Sequence, residues 1–222
     1  MKRKNNNFLS VDVQEYYHRR ASHYDSLYHR EERKEALDEA AKILQQIFSG
    51  KEVLEIACGT GYWTKEISLT SKSIHATDIN DAMLAIAYKR NYPKNNVTFE
   101  RADFNSLNPG HRFEALFGGF IWSHIPVEEL DPFIQQMHNY VQHDGTVVFI
   151  DNNFVEGSNT PISHEDKSGN TYQLRTLPDG ETFSIVKNFP DEKFIQRKLE
   201  GKAKPVNFIK LKYYWILNYK TL

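Results

Sequence analysis

The 222-residue chain has one cysteine, Cys58, and almost no net charge. A single thiol cannot form an internal disulfide, so the sequence excludes a disulfide-stabilised fold and does not require an oxidising compartment. The 28 Lys and Arg residues balance 29 Asp and Glu residues, which leaves a net charge of −1. This balance provides no general attraction to nucleic acid or to an anionic membrane surface.

Long hydrophobic runs are also missing. The longest apolar stretch, Ala115 to Trp122, is far shorter than the ~20 residues that span a bilayer. The basic start MKRKNNNFLS is not followed by the apolar region of about 7–15 residues that a signal peptide has. We therefore expect residues 1–14 to form a flexible tail, the protein to be cytoplasmic, and no membrane to be a partner.

Short apolar segments alternate with helical patterns between Lys51 and Ile150. The strands are predicted at residues 51–56, 73–77, 97–100, 113–122 and 146–150. Such alternation is typical of an α/β fold with a Rossmann-like, doubly wound parallel sheet. A β-hairpin is predicted around the Asp179-Gly180 turn, and a final strand pair over residues 206–220 makes the sheet mostly parallel and seven-stranded.

A glycine-rich turn follows the first predicted strand, in the segment VLEIACGTGYWT (53–64). Gly59 and Gly61 permit a tight turn and let a ligand approach the backbone closely. A dinucleotide-binding spacing would require a small residue at position 62 or 64, where Tyr62 and Thr64 stand. A phosphate loop is excluded because no Gly-Lys-Ser/Thr sequence follows.

Acidic residues end the first three predicted strands. Glu55 and Asp78 end the first two, and Asp103 follows the third. In open α/β sheets the ligand lies beyond these carboxyl ends. Carboxylates would repel a pyrophosphate there by about 4 kcal/mol per charge pair at ~4 Å and an effective dielectric constant of about 20. A cationic ligand that carries a ribose diol and an adenine amine would instead be attracted.

Together these motifs resemble the class I S-adenosylmethionine-dependent methyltransferases. The superfamily's E-x-G-x-G-x-G pattern appears here as Glu55, Ala57, Gly59 and Gly61, with Ala57 where glycine is more common. The chain also resembles a largely uncharacterised bacterial group of these enzymes over residues 15–220. The matching motifs are YYHRRASHYD (16–25), GGFIWSHIP (118–126) and RTLPDGETFSIVK (175–187).

The resemblance implies a role for each acidic residue. Glu55 would hold the methionine ammonium, Asp78 the ribose hydroxyls and Asp103 the adenine amine. The other residues expected to bind S-adenosyl-L-methionine are Tyr16, Arg20, Tyr24, Ala57, Cys58, Gly59, Gly61, Ile79, Met83, Ala102, Phe104, Gly119 and Phe120. No metal is expected, and Cys58 is interpreted as a small buried residue rather than a nucleophile.

Residues 15–48 are predicted to form lid helices, in which tyrosine rings would face the sulfonium and an arginine would pair with the methionine carboxylate. A helix packed on the sheet edge is the alternative. Residues 51–151 would form the cofactor-binding core, 168–190 an inserted hairpin, and 191–222 a C-terminal helix and strands. One methyltransferase domain would thus cover residues 15–222.

His124 is the candidate catalytic residue, as a base or as a group that orients the acceptor. The alternative is a histidine that only caps a helix or bonds a carbonyl. Methyl transfer depends mainly on alignment of donor and acceptor, which contributes ~7–11 kcal/mol, so a base is not essential.

The predicted function is methyl transfer to a small molecule, by a monomer or homodimer without a nucleic-acid partner. One alternative is an RNA methyltransferase that uses a C-terminal cluster of basic residues. The others are a NAD-dependent oxidoreductase and a non-catalytic nucleotide-binding module.

Overall fold

The structure of the protein is a computed structural model that describes residues 8–222. The α-helices in this range are α1 (Val11–Arg20), α2 (Lys34–Ile47), α3 (Tyr62–Ser68), α4 (Asp81–Ala87), α5 (Leu130–Asn139) and α6 (Glu192–Leu199). The strands are β1 (Glu52–Ile56), β2 (Ser73–Asp78), β3 (Val97–Arg101), β4 (Phe113–Gly119), β5 (Val141–Asn152), β6 (His164–Glu165), β7 (Thr171–Thr176), β8 (Thr182–Val186), β9 (Ala203–Lys210) and β10 (Tyr214–Thr221). Within the described residues, none of the helices is both long and apolar enough to cross a bilayer.

Seven strands form the main sheet in the order β3-β2-β1-β4-β5-β10-β9. Neighbouring strands among the first five are parallel, whereas β10 runs antiparallel to both β5 and β9. The predicted α/β class and the mostly parallel, seven-stranded sheet are therefore confirmed. Strand order reverses beside β1, so the carboxyl ends of β1, β2 and β4 border one crevice.

The inserted hairpin is part of a separate antiparallel sheet in the order β6-β7-β8. The predicted strands β7 and β8 pair from Tyr172↔Val186 to Thr176↔Thr182. The added strand β6 was not predicted because its two residues, His164 and Glu165, are exposed and carry no apolar pattern. This small sheet brings the chain after β5 back towards α1.

Helix α2 illustrates how apolar spacing produces this packing. Its buried residues are Ala36, Leu37, Ala40, Ala41 and Leu44, which recur every three to four positions. Within the segment 15–48 that was predicted to form lid helices, residues 21–29 and 31–33 form 3-10 helices, so α2 begins only at Lys34. These 3-10 turns carry the chain across the top of the main sheet.

The N-terminal segment is more ordered than the sequence predicts. Residues 1–7 of the predicted tail lie outside the described residues, whereas Phe8, Leu9 and Val13 are buried. Phe8 is 3% exposed, and its ring centroid lies 5.6 Å from that of Phe133. Helix α1 begins at Val11 and is capped by Ser10, whose hydroxyl accepts a hydrogen bond from Val13 N at 3.3 Å. Burial of apolar side chains therefore anchors residues that charge and polarity alone assign to a tail.

Candidate functional site

A cleft lies at the carboxyl ends of β1, β2 and β4, beneath α1; we call it the strand-end cleft. It is lined by Leu9, Val13, Gln14, Tyr17, Tyr24, Ala57, Gly59, Asp78, Ile79, Asn80, Met83, Gly119, Phe120, Ile121 and His124. The residues among these that the sequence predicts are Tyr24, Ala57, Gly59, Asp78, Ile79, Met83, Gly119, Phe120 and His124. The structure therefore brings together residues from four separate parts of the predicted site.

The turn after β1 has an unusual backbone. Ala57, Gly59 and Gly61 have φ angles of 50°, 56° and 76°, in the left-handed region that disfavours most side chains. Cys58, between them, donates its backbone N–H to the carbonyl of Thr77 at 2.9 Å, which ties the turn to β2. Burial raises the pKa of the Cys58 thiol well above its usual value, as expected for a small buried residue rather than a nucleophile.

The two glycines of this turn have different neighbours. A Cβ on Gly61 would lie 2.5 Å from the Tyr92 hydroxyl and 3.1 Å from the Ala87 Cβ. Gly61 therefore permits close packing of α3 against α4 and does not line the cleft. At Gly59, Tyr24 is the only one of the described residues within 4.0 Å of such an atom, and the backbone of Gly59 faces the cleft.

Asp78 is held at the end of β2 by two backbone hydrogen bonds. Its Oδ2 accepts from Gly59 N and its Oδ1 from Asn80 N, each at 2.8 Å. Burial raises the Asp78 pKa to about 6, while these backbone hydrogen bonds oppose the increase. A carboxylate oxygen can accept more than one hydrogen bond, so Asp78 remains able to bind hydroxyl groups of a ligand in the cleft.

Glu55 lies below the glycine turn and is only 2% exposed. It does not line the cleft, and its Oε2 has no hydrogen-bond partner among the described residues. Burial, with the negative charge of Asp78 nearby, raises the Glu55 pKa to about 8. The expected contact of Glu55 with an ammonium group stays a prediction.

The raised pKa of Glu55 predicts how stability depends on pH. Between about pH 4.5 and pH 8 the folded protein holds a proton that the unfolded chain releases, so the free energy of unfolding falls as pH rises through this window. One such proton contributes a slope of up to about 1.4 kcal/mol per pH unit. Glu55→Gln, which stays neutral, should lose this slope, so its stability relative to wild type should grow with pH.

Urea unfolding of wild type and Glu55→Gln at pH 5, 6, 7 and 8 measures this effect. Glu52→Gln, on the same strand, is the matched control and should keep the wild-type slope. Parallel curves for wild type and Glu55→Gln would contradict a buried, protonated Glu55.

Three of the residues predicted around the adenine, Ala102, Asp103 and Phe104, lie beside the cleft rather than in its lining, whereas Ile79 and Met83 line it. Asp103 Oδ1 accepts from the backbone N of Asn105 at 2.9 Å and from its Nδ2 at 2.6 Å, which makes Asp103 the start of a tight turn. Phe104 is buried, with its ring centroid 6.0 Å from that of Phe133. Ala102 donates its backbone N–H to the Asp78 carbonyl at 3.0 Å. The adenine contacts of all three therefore remain untested predictions.

Of the two predicted lid tyrosines, Tyr24 lines the cleft and Tyr16 does not. Tyr16 is buried, with its ring 5.9 Å from that of Phe183, and lies outside the cleft lining. Its neighbour Tyr17 faces the cleft instead, because one helical residue changes the direction of a side chain by about 100°. Thr60, in the glycine turn, donates its hydroxyl to Asp25 at 2.5 Å, which fastens the 3-10 helix 21–29 above the cleft.

His124 makes a hydrogen bond with each of its ring nitrogens. Nδ1 lies 2.6 Å from the carbonyl oxygen of Val186, which only accepts, so Nδ1 carries the proton. Nε2, at 2.8 Å, therefore accepts from the hydroxyl of Tyr17. Burial and the charge of Lys187 lower the His124 pKa to about 3, so the imidazole is neutral near pH 7.

A second cavity adjoins the strand-end cleft; we call it the basic pocket. It is lined by Tyr17, Arg20, Tyr24, Leu27, Tyr28, Arg30, Arg33, Phe120, Asn152, Ser158, Asn159, Thr160, Arg175, Lys187 and Tyr214. Tyr17, Tyr24 and Phe120 line both cavities. Arg20, predicted to contact the cofactor, lines only this pocket. Sequence reasoning missed the basic pocket, although Arg20, Arg175 and Lys187 all occur in the motifs that carry the resemblance.

A buried ion pair lies beside the basic pocket, which Lys187 lines. Lys187 Nζ lies 2.9 Å from Asp151 Oδ1 and 2.6 Å from the Ser123 hydroxyl. Asp151 Oδ2 accepts from Ser123 N at 2.9 Å. Although burial opposes it, the charge of Lys187 holds the Asp151 pKa below its usual value. Asp151 is the penultimate residue of β5, close to the strand end where an acid of functional interest is expected, and it was not among the predicted site residues.

Residues 53–145 match a family model described as a methyltransferase domain. The chain is similar to a solved structure titled "DhpI-SAH complex structure", with 25% identity, a TM-score of 0.80, and coverage of 97% of this chain and 98% of that one. It is similar also to the "DhpI-SAM-HEP complex", with 25% identity, a TM-score of 0.76, and coverage of 96% and 98%.

A curated relative is a dTDP-3-amino-3,6-dideoxy-alpha-D-glucopyranose N,N-dimethyltransferase of Streptomyces fradiae. The two sequences are 26% identical over 165 residues, which are 66% of this chain and 62% of the relative. The matches to two other curated methyltransferases cover 26% and 65% of the lengths of those proteins. The chain thus covers less than two thirds of each of these curated proteins.

Proposed function

Because the chain belongs to the class I S-adenosylmethionine-dependent methyltransferases, we propose that it transfers the methyl group of S-adenosyl-L-methionine to a small-molecule acceptor. The observation that supports this most strongly is the strand-end cleft, where a left-handed glycine turn and a buried aspartate converge. The DhpI chain, which matches almost the whole of this one, is described with SAH and with SAM.

The residues of the strand-end cleft fit this cofactor. Asp78 presents carboxylate oxygens for the ribose hydroxyls, and Ile79 and Met83 offer apolar surface for the adenine. At Gly119 a Cβ would lie 3.0 Å from Trp63 Cδ1, so the glycine allows Trp63 to pack against the end of β4 beside the cleft. When bound, the cofactor supplies a methyl group on a sulfonium, which is already an activated leaving group.

The chain's own contribution would be alignment and exclusion of water. Tyr17, Tyr24 and Phe120 lie between the cleft and the basic pocket, where donor and acceptor would meet. Aromatic faces attract cations by about 0.5–2 kcal/mol, which suits a sulfonium. Alignment alone contributes ~7–11 kcal/mol to such reactions.

We propose that His124 positions Tyr17 and does not act as the base. Its Nε2 is used by the Tyr17 hydroxyl, and its lowered pKa keeps it neutral. His124→Ala should lower kcat by about 10- to 100-fold, since small misplacements cost that much, with little change in S-adenosylhomocysteine affinity. Turnover with an acceptor found by screening metabolite pools with labelled cofactor measures this.

A positioning role has its own signature. Tyr17→Phe should reproduce the loss in kcat, and the wild-type rate should show no ionisation of His124 between pH 5 and pH 8. A rate that falls as an imidazole becomes protonated near pH 6.5, and loses this limb in His124→Ala, would establish His124 as the base instead.

Calorimetry distinguishes the proposed cofactor from NAD. We expect S-adenosylhomocysteine to bind with a micromolar Kd, and NAD to bind at least about 100-fold more weakly, because the glycine turn lacks the spacing of a pyrophosphate-binding turn and the Asp78 carboxylate lies in the same cleft. Equal or tighter binding of NAD would favour an oxidoreductase. Binding of S-adenosylhomocysteine without any methyl transfer in the labelled screen would favour a non-catalytic module.

The RNA alternative depends on the C-terminal basic cluster. Its members are Lys193, Arg197, Lys198, Lys202, Lys204, Lys210 and Lys212. Lys198 and Lys202 both pair with Asp131, at 2.7 and 2.5 Å, which reduces the local positive field. A small acceptor is therefore favoured, and RNA binding with a steep salt dependence would contradict it. A cytoplasmic location and a monomer or homodimer are part of this proposal.

A further inference from the structure

Basic side chains from distant parts of the chain line the basic pocket. Arg20 ends α1, Arg30 lies between the two following 3-10 helices, and Arg33 ends the second of them. Arg175 lies in β7, and Lys187 follows β8. Among residues 8–222, no aspartate or glutamate lines this pocket. Such one-sided charge in a concave site raises the local concentration of anions.

Most of these positive charges lack a counter-ion. Among residues 8–222, the guanidinium groups of Arg20, Arg30, Arg33 and Arg175 have no carboxylate within 4.0 Å. Instead they contact neutral groups. Arg20 Nη1 donates to the Tyr16 hydroxyl at 3.0 Å, and Arg175 Nη2 donates to Gln173 Oε1 at 2.6 Å.

Arg33 shows the cost of this arrangement most clearly. It is only 6% exposed, and its Nε has no hydrogen-bond partner among the described residues. Its Nη2 donates to the Ser158 hydroxyl at 2.8 Å and to the Ser158 carbonyl at 3.1 Å. A buried cation whose donors are satisfied only by neutral groups is unfavourable unless an anion compensates it.

The basic side chains also act on one another. Burial lowers the Lys187 pKa, and the charges of Arg175 and Arg33 lower it further, against the opposing effect of Asp151. Asp151, the carboxylate that pairs with Lys187, therefore lies within a cluster of basic side chains that carries an excess of positive charge. An anion in the pocket would relieve this repulsion.

We propose that the basic pocket is the acceptor site, and that the acceptor is a small molecule with a phosphate, phosphonate or carboxylate group. This inference rests on the proposed methyltransferase function. Arginine forks match the paired oxygens of these groups. Tyr17, Tyr24 and Phe120 are shared with the strand-end cleft, so an anion held here keeps its acceptor next to the cofactor.

The added β6-β7-β8 sheet then has a specific role. It supplies Arg175 to the pocket, and Lys187 follows directly after its last strand. An amine without an acidic group would be repelled by the same charges. The small sheet would thus select the acceptor class, whereas the main sheet binds the cofactor.

The test uses inorganic phosphate and acetate as probes, with trimethyl phosphate as an uncharged analogue of similar shape. Full-length protein is saturated with S-adenosylhomocysteine, and probe binding is followed by phosphorus or proton NMR titration. We expect at least one anion to bind at least 10-fold more tightly than trimethyl phosphate. Binding of phosphate but not acetate identifies a phosphate or phosphonate acceptor, and the reverse identifies a carboxylate.

Variants locate the binding site. Arg175→Gln should weaken the anion at least 10-fold while the affinity for S-adenosylhomocysteine changes by less than 3-fold. Arg197→Gln, which removes one exposed arginine of α6 outside the basic pocket, is the matched control and should behave as wild type. Arg20→Gln provides a second test if Arg175→Gln fails to fold.

The possible failures are distinguishable. If S-adenosylhomocysteine binds but neither anion does, or if trimethyl phosphate binds as tightly as the anions, the acceptor proposal is overturned and the proposed function stands. Equal anion binding by Arg175→Gln and Arg197→Gln also overturns it. If S-adenosylhomocysteine itself does not bind, the proposed function fails, whatever the anions do.

Discussion

Replacing Asp78 with alanine should weaken S-adenosylhomocysteine binding by about 100-fold or more. Each hydrogen bond to a charged group contributes about 1.5–3 kcal/mol, and a ribose diol would donate two of them to this carboxylate. A loss of about 3 kcal/mol already corresponds to more than a 100-fold change in Kd. Calorimetric titration of wild type and variant under the same buffer conditions measures the change.

The same substitution also removes two backbone contacts, because Asp78 accepts from Gly59 N and Asn80 N. Circular dichroism and urea unfolding must therefore show that Asp78→Ala is folded. Asp78→Asn keeps one carbonyl acceptor and should lose less affinity than alanine. Asp81→Ala, an exposed acid three residues further along, is the matched control and should bind within about 2-fold of wild type.

If folded Asp78→Ala binds S-adenosylhomocysteine as tightly as Asp81→Ala does, the ribose assignment is refuted. The carboxylate would then be a structural group that fixes the glycine turn, and the cofactor proposal would lose its principal contact.

Lys187→Met should lower the free energy of unfolding by about 3–5 kcal/mol, the usual effect of removing one partner of a buried ion pair. Lys187 is 4% exposed and Asp151 is fully buried. The variant would leave the Asp151 carboxylate with backbone and side-chain N–H donors of Asn152 and Ser123 but no opposite charge. Urea unfolding at pH 7 measures this loss.

The exposed pair of Lys198 with Asp131 provides the matched control. Lys198→Met should cost no more than about 1 kcal/mol, because solvent screens a surface pair. The Lys187→Met deficit should also shrink as pH falls, since loss of the cation raises the Asp151 pKa and protonation then neutralises the buried group. Equal losses in the two variants, without this pH trend, would be inconsistent with a buried pair that stabilises the fold.

The main sheet and the centre of the cleft were predictable because they depend on local patterns. The strand segments carry runs of apolar residues, and parallel strands place their carboxyl ends at the same edge. Asp78, Ile79 and Met83 follow one such strand end and do line the cleft. Gly59 was predictable for the same reason, since a turn with positive φ favours glycine.

Other predicted residues lie elsewhere because their direction depends on packing. Glu55 is in the expected strand, but its side chain is buried beneath the turn. The lid was expected to use Tyr16, yet the rotation of α1 places Tyr17 at the cleft and Tyr16 against Phe183. The direction of each side chain depends on how β1 and α1 pack against the rest of the chain, which helical or strand spacing alone does not fix.

By itself, the sequence determined that this protein is an α/β methyltransferase-like chain with its glycine turn and Asp78 at adjoining strand ends. These features follow from periodicity and from steric limits on the backbone, which act over a few residues. Only the tertiary structure decided that Arg20, Arg33 and Arg175 share one pocket. More than 140 positions separate Arg33 from Arg175, and only packing of α1 and its following turns against the small sheet brings them together.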